Sequence, residues 1–115
     1  MTLRIAGAGL AFVALAATLA AAPARTGSGL VSGAVADGVQ SWKGIAFAAP
    51  PVGDLRWRAP RPPAPWTGVK PATAYANDCM QLPFPSDAAP LGTPPAEDCL
   101  YLNVWAPEKP SAQKL

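Results

Sequence analysis

The chain has 115 residues and a mild charge balance, with nine Lys and Arg against seven Asp and Glu. It has no run of basic residues and no alternation of basic and aromatic residues, so nucleic acid is not an expected partner. The sequence contains no His, which excludes a complete Ser-His-acid triad within it. Two cysteines are too few for a structural zinc site, and the carboxylates are not clustered as in calcium loops. We therefore predict no metal and no cofactor.

The first 24 residues have the pattern of an export signal. A short basic start precedes an uncharged apolar run over residues 5–22, and a small-x-small step follows at residues 22–24. We predict a signal peptide over residues 1–24, a mature chain from Arg25 and a secreted or periplasmic protein with no stable membrane association after cleavage. The alternative is a retained transmembrane anchor, because the run approaches the roughly 18 to 20 residues that a membrane span needs. Its alanine-rich composition and the cleavage pattern favour the signal peptide.

A β-hairpin is predicted at the start of the mature chain. Residues 30–36 are small or β-branched and form the first strand, and residues 39–47 supply the return strand. Between them stands Asp37-Gly38, a pair that suits the positive φ angles of a two-residue type I′ turn.

Proline dominates the middle of the chain, where 12 of the 15 prolines fall between residues 47 and 96. Because proline removes backbone donors, residues 48–65 are predicted to be extended chain with turns. A free proline-rich ligand is one interpretation of this segment. Its large apolar side chains favour a loop that they anchor onto a core; these are Leu55, Trp57 and, just after it, Trp66.

The last predicted element is a strand over residues 100–105. Leu100, Leu102 and Val104 alternate with other bulky residues at a period of two. Since both faces carry large side chains, we expect this strand to be covered on both sides. Pro107 and Pro110 are expected to end it.

The two cysteines, Cys79 and Cys99, are predicted to form an intramolecular disulfide, because an exported chain meets an oxidising compartment. The bond would tether the proline-rich residues 82–95 into a loop with a defined shape, and such loops often line binding sites. Two unpaired buried thiols are the alternative.

Residues 97–107 read Glu-Asp-Cys-Leu-Tyr-Leu-Asn-Val-Trp-Ala-Pro and closely resemble the Glu-Asp-Cys-Leu-Tyr-Leu-Asn-Val signature of the type-B carboxylesterase family. That family includes cholinesterases and bacterial para-nitrobenzyl esterases. Upstream, Gly-Ile-Ala-Phe-Ala at 44–48, Pro-Pro-Val-Gly at 50–53 and Leu-Arg-Trp at 55–57 resemble its motifs in the same order. The resemblance covers about residues 30–107. This sequence departs from the family at a few positions, such as Ala46, where many members carry proline.

The resemblance implies an α/β fold, with residues 25–115 as the incomplete N-terminal part of an α/β-hydrolase domain. This part would contain the hairpin, the proline-rich loops and the first strand of the central sheet, and would be truncated before the nucleophile elbow. Cys79 and Cys99 would form the family's first disulfide, and the loop between them would flank the active-site entrance. Arg56 and Glu97 match positions that form a partly buried ion pair in the family. From the residues alone, two unrelated surface charges would be the simpler interpretation.

The sequence contains neither a Gly-x-Ser-x-Gly nucleophile motif nor a His-Gly-Gly-Gly oxyanion loop, so no catalytic residue is assigned in it. The resemblance implies that the full-length protein hydrolyses small-molecule carboxylic esters through an acyl-enzyme, while the 115-residue chain alone is inactive. The loop between the cysteines contains no Trp for a cation–π contact, which argues against a choline ester. Two alternatives stay open: a non-catalytic adhesion-type member of the same fold, and a small exported disulfide-bearing binding module. The sequence predicts no oligomeric state.

Overall fold

Two small β-sheets form the framework of the chain in a computed structural model that describes residues 19–82 and 94–109. The strands in chain order are β1 (Leu19–Ala20), β2 (Ala24–Arg25), β3 (Leu30–Ser32), β4 (Ala34–Ala36), β5 (Val39–Ala46), β6 (Val69–Pro71) and β7 (Tyr101–Pro107). One sheet has the order β1-β4-β5-β7, and the other has the order β2-β3-β6. In these two described ranges the only helical element is a 3-10 turn at Gly53–Leu55.

The predicted signal peptide lies partly outside the described residues. Its last positions contribute β1, which pairs antiparallel with β4, and the first residue of β2, which pairs antiparallel with β3. Ala21, between these two strands, is buried, and its N–H donates to the carbonyl of Gly33 at 3.0 Å. No helix within the described ranges is both long and apolar enough to cross a membrane.

The predicted hairpin is confirmed in strands β4 and β5. They pair antiparallel, with Ala36 opposite Val39, and the two turn residues between them have φ angles of 51° at Asp37 and 75° at Gly38. These are the left-handed angles that a type I′ turn requires, which explains why an Asp-Gly pair stands there.

The single strand predicted for residues 30–36 is in fact two strands, separated at Gly33. β3 belongs to the three-stranded sheet and β4 to the four-stranded sheet, so the chain changes sheets at this residue. A Cβ atom at Gly33 would lie 2.2 Å from the carbonyl oxygen of Ser41, so only glycine permits this close approach. β6, which the sequence did not predict, pairs parallel with β3.

The proline-rich residues 48–65 form no strand and are anchored through Trp66. Its backbone N–H donates to the backbone carbonyl of Ser28 at 2.9 Å, and its indole N–H donates to the carbonyl of Leu30 at 2.8 Å. The prediction that large apolar side chains anchor this segment is therefore confirmed for Trp66. The same prediction is wrong for Trp57, whose side chain is fully exposed.

β7 is the edge strand of the four-stranded sheet, antiparallel to β5, with Trp42 opposite Val104 and Ile45 opposite Leu102. β7 contains residues 101–105 of the predicted strand and continues two residues further, so that Pro107 is its last residue. The expectation that β7 is covered on both sides is wrong for the described part of the chain. Leu102, Val104 and Trp105 stay exposed there, because no other described element covers the two faces of the strand to which these side chains point. The buried hydrophobic residues of the described ranges are small: Ala21, Val31, Ala48 and Ala72.

Candidate functional site

A disulfide joins Cys79 to Cys99, with an S–S distance of 2.11 Å and Cα atoms 4.9 Å apart. Cys99 lies just before β7, and Cys79 lies in the irregular chain after β6. Cys79 is exposed and Cys99 is half-buried. The bond therefore fixes the start of the signature strand to a surface segment, and solvent can reach it from the Cys79 side.

Backbone contacts hold the two segments together beside the disulfide. The N–H of Ala96 donates to the carbonyl of Asp78 at 2.9 Å, and Cys79 and Ala96 form an isolated parallel bridge. The side-chain amide of Asn77 donates to the carbonyl of Asp98 at 3.4 Å. Both ends of the tethered loop are thus fixed, while residues 83–93 in its middle lie outside the described residues.

Arg56 and Glu97 come together as an ion pair, in which Arg56 Nη2 donates to Glu97 Oε1. This hydrogen bond, and next the negative charge of Glu97, raise the pKa of Arg56 further above its ordinary value, so the guanidinium stays charged. The side chains are 55% and 43% exposed, so both are about half covered within the described residues. Because water screens the pair, its main effect is to hold Glu97 against the turn that carries Arg56.

The disulfide and the ion pair border one open cavity of about 360 Å³, which is lined by Pro51, Arg56, Trp57, Met80, Glu97 and Cys99. The sequence favours a core anchor at Trp57 and indicates no site role for Met80. No signal in the sequence separates an exposed tryptophan at position 57 from a buried one, because apolar character alone does not show whether the fold covers a side chain.

Tyr101 lies on the other side of the disulfide, at the start of β7. Burial raises the pKa of Tyr101, and the hydrogen bond to Asp98 and the charge of that carboxylate raise it further. The group is one of several polar side chains around a smaller cavity of about 200 Å³, which also borders Asn77, Asp78 and Asn103. In the described ranges, no three His, Cys, Asp or Glu residues cluster as a metal site would require.

Comparison with known proteins shows which family the chain resembles. The model of the carboxylesterase family matches residues 21–115. The chain is 49% identical over 88 residues to a phenmedipham hydrolase of Pseudarthrobacter oxydans, an alignment that covers 73% of the chain and 18% of that protein. It is 48% identical over 87 residues to the para-nitrobenzyl esterase of Bacillus subtilis strain 168, covering 72% of the chain and 17% of that enzyme.

Solved structures give the same answer. A para-nitrobenzyl esterase structure superposes with a TM-score of 0.66 and 46% identity, covering 77% of the chain and 17% of that protein. Carboxylesterase EST55 of Geobacillus stearothermophilus superposes with a TM-score of 0.61 and 41% identity, covering 74% of the chain and 16% of that protein. The chain thus spans less than a fifth of the length of these relatives. The family match and these superpositions show that the chain belongs to the carboxylesterase family.

Proposed function

We propose that the chain is the N-terminal part of a serine carboxylesterase with an α/β-hydrolase fold, which cleaves carboxylic esters through an acyl-enzyme. The observation that carries this proposal is the identity of about half over 87 to 88 residues to proteins named as a hydrolase and as an esterase. In such a reaction a serine attacks the ester carbonyl, and backbone donors hold the oxyanion of the tetrahedral intermediate. The intermediate expels the alcohol to leave the acyl-enzyme, which water then hydrolyses to release the acid and free the serine.

Within that protein, residues 25–115 would serve as scaffold and contribute no catalytic residue. The sequence has no His to act as base for any of its serines, and both of its cysteines are held in the disulfide. The loop tethered by Cys79 and Cys99 would flank the entrance to the active site. Arg56 and Glu97 would hold the base of that loop against the proline-rich segment.

The substrate would be a small-molecule carboxylic ester. The relatives are named for different compounds: phenmedipham, fumonisin B1 and para-nitrobenzyl esters. This range of names supports a conserved scaffold whose ester specificity differs from member to member.

Export through a signal peptide over residues 1–24 belongs to the same proposal. The uncharged apolar start of the chain and the surface disulfide both support a secreted or periplasmic protein. Sequencing the N-terminus of the exported protein tests it, with Arg25 expected as the first residue. An unprocessed Met1 on the exported protein would contradict it.

The catalytic proposal is tested by expressing the coding frame as it continues beyond Leu115, with the 115-residue chain in parallel. We expect a His-Gly-Gly-Gly loop and a Gly-x-Ser-x-Gly motif in the continuation, and turnover of a para-nitrophenyl ester by the longer product. The 115-residue chain should show no turnover above buffer. An intact frame without the nucleophile serine would support an adhesion-type protein instead, and a stop codon directly after Leu115 would contradict both.

A further inference from the structure

Trp57 combines backbone strain with complete exposure. It follows the 3-10 turn at Gly53–Leu55 and has a φ angle of 57°, in the left-handed region that a bulky side chain rarely adopts. Its side chain is 102% exposed, so packing within the described residues does not compensate for this strain. The angle is that of the third position of a β-turn over residues 55–58, in which the N–H of Arg58 donates to the carbonyl of Leu55 at 3.3 Å. The turn therefore presents the indole of Trp57 to solvent.

The surroundings of Trp57 form a cavity with a defined wall. Arg56, the preceding residue, is held by its ion pair with Glu97, and Glu97 is close in sequence to the disulfide at Cys99. The 360 Å³ volume falls within the roughly 300–1,000 Å³ typical of small-molecule sites. Two covalent or ionic restraints therefore fix the shape of the cavity from one side.

The chemistry of the lining favours an aromatic ligand without charge. Trp57 offers the face of an indole, and Met80, which is 66% exposed, offers a polarisable thioether that interacts well with aromatic rings. The two ionic groups at the cavity neutralise each other, so they leave no net charge to attract an ion.

We propose that Trp57 and Met80 form a binding site for a small uncharged aromatic molecule, in the cavity that the Cys79–Cys99 disulfide and the Arg56–Glu97 pair support. This site does not depend on ester hydrolysis, because it is built from residues that the proposed reaction does not use. The turn over residues 55–58 presents the Trp57 ring for this contact, and the exposed ring adds no packing to the described part of the fold.

The test uses the indole N–H signals of the four tryptophans in a ¹⁵N-labelled 115-residue chain, titrated with benzyl alcohol. We expect a saturable shift of the Trp57 signal and no comparable shift of the Trp66 signal, because the Trp66 indole is held by Leu30. Cyclohexylmethanol, which has a similar size but no aromatic ring, is the matched control ligand and should bind more weakly. A Trp57 signal that does not move, moves linearly without saturation, or responds equally to both alcohols would overturn the proposal.

Two variants distinguish the loss of a ligand contact from the loss of fold stability. Trp57→Gly removes the ring and suits the positive φ angle, so it should weaken benzyl alcohol binding by about tenfold, as followed on the Met80 methyl signal, while the urea midpoint stays equal or rises. Met80→Ala should weaken binding in the same direction. Leu82→Ala is the control, since Leu82 is exposed and does not line the cavity. Unchanged binding in Trp57→Gly, or a lower urea midpoint in that variant, would refute the assigned role of Trp57.

Discussion

Asn103 accepts a hydrogen bond from the backbone N–H of Gly44 through its side-chain oxygen Oδ1, at 2.9 Å. The contact lies where the register between β5 and β7 shifts, between Trp42 and Ile45. Gly44 has a φ angle of 69°, which turns its N–H away from regular strand pairing. The asparagine of the signature strand thus takes the place of a backbone acceptor at this bulge.

Replacing Asn103 with Ala should therefore leave the Gly44 N–H without its acceptor. We expect the free energy of unfolding to fall by about 1–2 kcal/mol, because a half-buried donor loses its partner. Urea unfolding followed by circular dichroism measures the change. Asn77→Ala is the matched control, since Asn77 is exposed and its contact to Asp98 is long, at 3.4 Å. Equal loss in the two variants would show that the bulge does not depend on Asn103.

Gly33 and Gly27 offer a second matched pair. A Cβ atom at Gly33 would meet the Ser41 carbonyl at 2.2 Å, and backbone cannot rotate away as a side chain can. We expect Gly33→Ala to cost about 1–3 kcal/mol of unfolding free energy through overpacking. Gly27→Ala meets no atom within 4 Å and should stay within about 0.5 kcal/mol of the parent chain. A similar urea midpoint for the two variants would contradict the close approach at Gly33.

The elements that were predicted correctly are those whose signal lies in residues adjacent to one another along the chain. The Asp37-Gly38 turn is encoded by its own two residues, and the period-two pattern that predicted β7 is visible in residues 100–105 alone. The break at Gly33 was missed because its cause, the Ser41 carbonyl, becomes a neighbour only after the hairpin forms. β6 was missed because its strand character comes from parallel pairing with β3, not from its own three residues.

Some features of the candidate site could likewise be predicted from the sequence, and others could not. The disulfide partners follow from having only two cysteines in an exported chain, and the ion pair came only from the family resemblance. The exposure of Trp57 could not be predicted, because apolar character indicates that a side chain benefits from burial but not whether the fold provides a place for it.

The Cys79–Cys99 disulfide should contribute about 3 kcal/mol to the stability of the chain, because it closes a loop of 20 residues in the unfolded state. We expect the double variant with Cys79→Ser and Cys99→Ser to lose roughly that amount in urea unfolding. Adding dithiothreitol should lower the midpoint of the parent chain to that of the double variant and leave the double variant unchanged. A parent chain whose midpoint does not respond to complete reduction, verified by thiol titration, would contradict this contribution.

Tyr101 should make the fold sensitive to alkaline pH. Burial, and then the hydrogen bond and charge of Asp98, raise the pKa of Tyr101 above its ordinary value of 10.0, so the folded chain binds the phenol proton more tightly than the unfolded chain does. This stabilisation is complete below pH 10.0 and is lost as the pH rises through the folded-state pKa. We expect the unfolding free energy of the parent chain to fall more steeply between about pH 9 and about pH 11 than that of Tyr101→Phe, which has no phenol to titrate. Asp98→Asn should give an intermediate slope, since it removes the carboxylate charge but leaves the burial. Urea unfolding across the pH series measures the slopes, and identical slopes in the parent chain and Tyr101→Phe would show that Tyr101 ionises equally easily in both states.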